Sequence, residues 1–83
     1  MHKFKKGDTV TVFYMHPSKG LMIEGKATVV RRVADVDEQY GVTFHDTRTG
    51  ETPGEEYERF VDAWGQADPK KYVREFNKKI GKS

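Results

Sequence analysis

Between residues 8 and 46 the chain alternates apolar with polar positions at a period of two, the pattern of strands with one buried face. The first run covers 8–15. Val10, Val12 and Tyr14 share one face and Thr9, Thr11, Phe13 and Met15 the other; the first set is the predicted core side. Pro17-Ser18-Lys19-Gly20 then has turn chemistry, proline presetting φ and glycine supplying a left-handed position. A second run covers 22–33, with Ala27, Val29, Arg31 and Val33 on one face and Lys26, Thr28, Val30 and Arg32 on the other. Gly25 interrupts it and predicts a bulge or bend. The third run, 40–46, sets Tyr40, Val42 and Phe44 together, and a fourth covers 55–61. On that last run Tyr57, Arg59 and Val61 oppose Phe60, and the pattern leaves open which face is inward. Adjacent Phe60 and Val61 both favour burial, which predicts a short turn or 3₁₀ segment near Asp62-Ala63.

After residue 68 the period changes to that of a helix. Asp68 suits the N-cap and Pro69 the first helical position, while Tyr72, Val73, Phe76 and Ile80 form one stripe and Gly81 ends it. A helix of about a dozen residues is marginal in isolation. Its stripe is therefore expected to dock on the sheet, with Trp64 in the joint. The elements predict a single domain, mainly β: a small barrel of four or five antiparallel strands over 4–62, followed by a C-terminal amphipathic helix over 68–80.

Gly7-Asp8-x-Val10-x-Val12, with Gly20 and Gly25-x-Ala27-x-Val29 behind it, is similar to the pattern of KOW modules, and Val42-x-Phe44-x-Asp46 resembles the third strand of Tudor domains. Both belong to the Src-homology-3-like (SH3-like) small barrels, and the resemblance covers residues 4–62. The KOW resemblance implies binding of RNA or ribosome-associated partners through loops and a basic strand. The Tudor resemblance implies an aromatic cage for methylated basic side chains, but Thr47 stands where those domains usually carry tyrosine. Fold likeness alone assigns no function.

Composition narrows the classes. Eighty-three residues make one small domain with a thin core. The chain has no cysteine, which removes disulfides and thiolate-bound zinc. No apolar run approaches membrane-spanning length, and residues 1–6 are charged without the apolar stretch of a secretory signal, so a cytoplasmic protein is expected. The net charge of +2 hides a segregation. Residues 1–33 carry seven basic and two acidic groups, residues 34–62 two basic and nine acidic, and residues 69–83 six basic and one acidic. Such blocks either attract one another within the fold or present surfaces of two signs.

Catalytic and metal chemistry find little in this sequence. Ser18 lies in a turn and Ser83 is the last residue, and neither has a histidine placed to activate it. His2, His16 and His45 show no metal-ligand spacing, and Asp35, Asp37 and Glu38 lack the loop of a calcium site. No glycine-rich phosphate loop is present. The expectation is a non-catalytic binding module with no cofactor and no small-molecule substrate. Nucleic acid is the leading ligand class: Lys26, Arg31 and Arg32 for phosphates, Phe13 and Tyr40 for stacking on bases, and Lys70, Lys71, Arg74 and Lys78 as a second basic surface. The alternative is a protein-interaction or assembly module, self-association included, using the apolar run Leu21, Met22 and Ile23. That run serves equally as the landing surface for the helix.

Overall fold

A computed structural model describes residues 3–34, 36, 38–47 and 49–82. Strands β1 (Thr9–His16), β2 (Gly20–Arg32), β3 (Gln39–Thr47) and β4 (Glu56–Phe60) form one antiparallel sheet in the order β1-β2-β3-β4. A short 3₁₀ turn (Ala63–Gly65) and helix α1 (Pro69–Lys79) follow. The sheet is a strongly curled half-barrel, with β1 and β4 as its two margins. No helix among the described residues is long and apolar enough to cross a membrane. His2, Asp35, Asp37 and Ser83 lie outside the described residues.

Three register shifts supply the curl, because each extra residue increases local twist. One falls where Val12 pairs with Gly25 but Phe13 with Ile23, leaving Glu24 unpaired on β2. The others leave His45 unpaired on β3 and Val30 on β2. The irregularity signalled by Gly25 thus sits beside Glu24. A Cβ on Gly25 would lie 2.1 Å from the carbonyl oxygen of Asp46, so only glycine admits β3 at that distance.

The core consists of Val10, Val12, Ala27, Val29, Tyr40, Val42, Phe44 and Val61, with Phe4 and Tyr57 packed against it. Each such side chain, fully buried, contributes roughly 1.5–3 kcal/mol. The alternation predicted most of this set and fails where the bulges intervene. Tyr14, beyond the first shift, is only half-buried, and Arg31, beyond the Val30 bulge, is exposed rather than aligned with Val29. On β4, Val61 is buried and Tyr57 and Arg59 are partly so, while Phe60 is exposed, which settles the face left open by the sequence.

Helix α1 begins as its sequence predicts, with the Asp68 side chain accepting from the amide of Lys71 at 3.2 Å and Pro69 in the first turn. Tyr72, Val73 and Phe76 are half-buried; Ile80 is exposed. Trp64 departs from expectation. It is 81% exposed, and the joint is filled instead by Phe13 and Tyr72, whose ring centroids lie 5.2 Å apart. Gly65 is buried against those two rings, and the tight turn that points it inward points its neighbour outward.

Candidate functional site

The two sheet arginines are consumed by carboxylates. Arg31 reaches Glu56 through Nε at 2.5 Å and Glu58 through Nη2 at 2.8 Å, and hydrogen bonds from Glu58 and then Glu56 hold its pKa above the ordinary value. Gly41 lies between the strands and makes this possible: a Cβ there would stand 2.8 Å from Cγ of Arg31. Arg32 donates through Nε to the carbonyl of Phe4 at 3.0 Å.

Arg59 points inward. Its Nε and Nη2 donate to the two carboxylate oxygens of Glu24 at 3.0 and 3.2 Å, and Nη2 also reaches Glu51 at 3.0 Å. The guanidinium lies 5.3 Å from the Tyr57 ring centroid and 5.7 Å from that of Phe44, within cation–π range. Glu24 is only 3% exposed and also accepts from the Thr49 hydroxyl at 3.1 Å. The first bulge carries this carboxylate under the sheet. The Glu51 carboxyl is held down at about 2, chiefly by a hydrogen bond from Thr49, then by one shared with Glu24, with a smaller share from Arg59. This cluster ties β2 to β4 across the interior, and every buried polar side-chain atom among the described residues has a partner.

Two carboxamides then fix the turn and the helix to the sheet. Gln66 accepts from the amide of Thr11 at 2.7 Å and donates to its carbonyl at 2.9 Å, and also donates to the carbonyl of Asp62 at 2.8 Å. Asn77 treats Leu21 alike, accepting at 2.7 Å and donating at 2.9 Å. Each side chain takes the place of a neighbouring strand's peptide group. Asp62 adds a third anchor, accepting from the amide of Trp64 at 2.9 Å and from the Tyr72 hydroxyl. Burial first, then that bond, pushes the Tyr72 hydroxyl up to about 12.

Held this way, α1 has a groove along each flank. Toward β2, two adjoining hollows share Ile23 and Lys70; Leu21, Met22 and Val73 line one, and Lys26 and Pro69 the other. The fold therefore brings Lys26 and Lys70 together with the apolar run Leu21, Met22 and Ile23, all three half-buried beside the helix. On the opposite flank Trp64 lines a groove of about 360 Å³ with Lys71, Glu75, Phe76 and Lys79. The Lys3 ammonium stands 5.6 Å from the centre of the Trp64 ring. Lys71 and Glu75 approach to 3.8 Å, and Lys70, Arg74 and Lys78 are exposed. No protein-family model, no curated protein and no solved structure matches this chain.

The remaining candidates are placed elsewhere. Tyr40 is fully buried, its hydroxyl accepting from the amides of Lys3 at 2.8 Å and Phe4 at 3.1 Å, so its ring offers no face to a base. Phe13 is half-buried under Tyr72 and Gly65. Arg31 and Arg32 are exposed but engaged as described, apart from the helix cations. His16 caps its turn, its Nδ1 accepting from the amides of Ser18 and Lys19, each at 3.1 Å. His45 contacts the Thr28 hydroxyl at 2.6 Å. Among the described residues no three acidic or histidine side chains gather in a way that would hold a metal. Trp64 is the candidate that sequence reasoning missed. Gly65, the residue that takes the inward position, was the available signal.

Proposed function

We propose that this chain is a non-catalytic nucleic-acid-binding module in which helix α1, together with Lys26, tracks phosphates. The observation that carries this reading is the division of charge. Glu24, Glu51, Glu56 and Glu58 are engaged by Arg59 and Arg31 on the sheet, while Lys26, Lys70, Arg74 and Lys78 stay exposed on and beside α1. The acidic middle of the chain is thus spent within the sheet and does not neutralise the helix. Exposed cations along one helix are the footprint of backbone binding. The curled four-strand meander and the Gly7-Asp8-x-Val10-x-Val12 phrase support placing the chain among SH3-like barrels of the KOW type, whose binding this reading shares.

The test is an anisotropy titration with labelled 20-mers of DNA and RNA at low ionic strength, repeated as salt rises. Four phosphate contacts predict a slope of log K against log salt of about −3 for single strands. Lys70→Glu with Arg74→Glu should abolish binding, and Arg31→Ala should leave it unchanged. Absence of binding at the lowest salt overturns the reading.

A second reading, a protein-binding module, is favoured by one observation. Met15 and Phe60 are 54% and 50% exposed and line a hollow with Phe13, Tyr72 and Phe76. Sedimentation showing self-association that is lost in Phe60→Glu would support it; a monomer at all concentrations would count against self-association.

A further inference from the structure

We infer that Trp64 is a stacking platform for an unpaired base, which makes the ligand class single-stranded nucleic acid; this rests on the phosphate-binding reading of α1. Trp64 is the one tryptophan in the chain and the most exposed of its large apolar side chains. Its exposure does not come from a loose backbone. Asp62 accepts from the Trp64 amide at 2.9 Å, Gly65 is buried against Phe13 and Tyr72, and Gln66 clamps Thr11 at 2.7 and 2.9 Å. The residues on both sides are fixed to the sheet or helix, so the indole is held outward in advance of any ligand. A pre-positioned aromatic loses little freedom on binding.

Its surroundings suit an anion carrying a flat apolar face. Lys71 and Lys79 line the same groove, and Lys3 stands 5.6 Å from the ring centre. Two carboxylates share this groove. Asp68 is occupied as the helix cap, and Glu75 pairs with Lys71 at 3.8 Å. A phosphate would displace Glu75 and take over Lys71. Bases in a duplex are already stacked on their neighbours and offer a side chain no free face, whereas an unpaired base has one. Stacking on an aromatic platform tolerates any base.

The experiment follows Trp64 emission while dT20, U20 and a 20-base-pair duplex are titrated separately, with anisotropy of labelled oligomers in parallel. Both single strands should change the emission and bind at least tenfold more tightly than the duplex; a difference between dT20 and U20 would show whether sugar contacts choose DNA or RNA. Trp64→Ala should weaken single-strand binding roughly 5- to 150-fold, with Trp64→Phe between it and the native chain. Glu75→Gln should tighten binding roughly twofold by freeing Lys71. Circular dichroism and melting of Trp64→Ala should match the native protein, since the ring packs on little. Single-strand binding without an emission change, or at native affinity in Trp64→Ala, overturns the platform and leaves phosphate tracking by α1 intact. Preference for the duplex does the same and points to α1 in a groove. No binding to any of the three overturns both.

Discussion

Replacing Gln66 with alanine removes three hydrogen bonds at once, and its cost follows from what is stranded. The amide and carbonyl of Thr11 lose partners at 2.7 and 2.9 Å, and the carbonyl of Asp62 loses one at 2.8 Å. Thr11 is 7% exposed, so its peptide groups do not simply return to bulk water. Each buried group left unpaired costs about 1–3 kcal/mol. Thr11 also borders the hollow beside Lys26 and Pro69, where water can enter, which places the sum for its two groups near about 2–4 kcal/mol. A domain of this size is stable by only about 4–12 kcal/mol, so the loss is a large fraction. The melting temperature should fall by roughly 10–25 °C. Urea unfolding followed by circular dichroism should show a lower midpoint with an unchanged slope. Gln66→Glu sharpens the test. At neutral pH its carboxylate faces the two carbonyls and should destabilise more than alanine does. Those carbonyls raise the folded pKa of the introduced carboxyl above its unfolded value, so the lost stability returns as pH falls through that raised value. A loss under about 0.5 kcal/mol in Gln66→Ala, the range of an ordinary surface change, would refute the reasoning.

Three further outcomes are expected. Arg59→Met leaves Glu24 buried without its cation and should cost about 3 kcal/mol in urea unfolding, whereas the double change Arg59→Met with Glu24→Leu should recover most of that loss. The Glu51 carboxyl, held at about 2, contributes stability that is complete above its unfolded pKa and is lost as pH falls; melts should decline from roughly pH 4.5 toward 2, and less steeply in Glu51→Gln. The Tyr72 hydroxyl, pushed up to about 12, acts in the opposite sense: its contribution is complete below about pH 10 and is lost as pH rises, so Tyr72→Phe should flatten the alkaline limb.

The strands and the helix were legible because their causes are local. Period-two alternation located β1, β2 and β3, and Asp68-Pro69 located the start of α1. Alternation misjudged Tyr14 and Arg31 because an inserted residue reverses every later side chain, and only Gly25 hinted at an insertion. The parts that position the candidate site were not legible, because they are long-range. Gln66 meets Thr11 across 55 residues and Asn77 meets Leu21 across 56, and no local pattern marks a glutamine or asparagine for such a task. Arg59 shares the face of Tyr57 and Val61, so its inward direction was readable once that face was known. Its partner Glu24 was not, because the bulge alone carries it inside. Opposite charge blocks suggested internal neutralisation of the lysines; the acidic residues instead pair with two arginines from the sheet itself.

A half-barrel that does not close has raw selvedges, and unpaired selvedges are where identical chains zip into fibres. Here one is blocked by the Gln66 amide at Thr11, and the other is short, five residues long, and bears Glu56 and Glu58. Solubility at high concentration therefore depends on a single glutamine as much as the melting point does, and its loss should surface first as turbidity on prolonged storage.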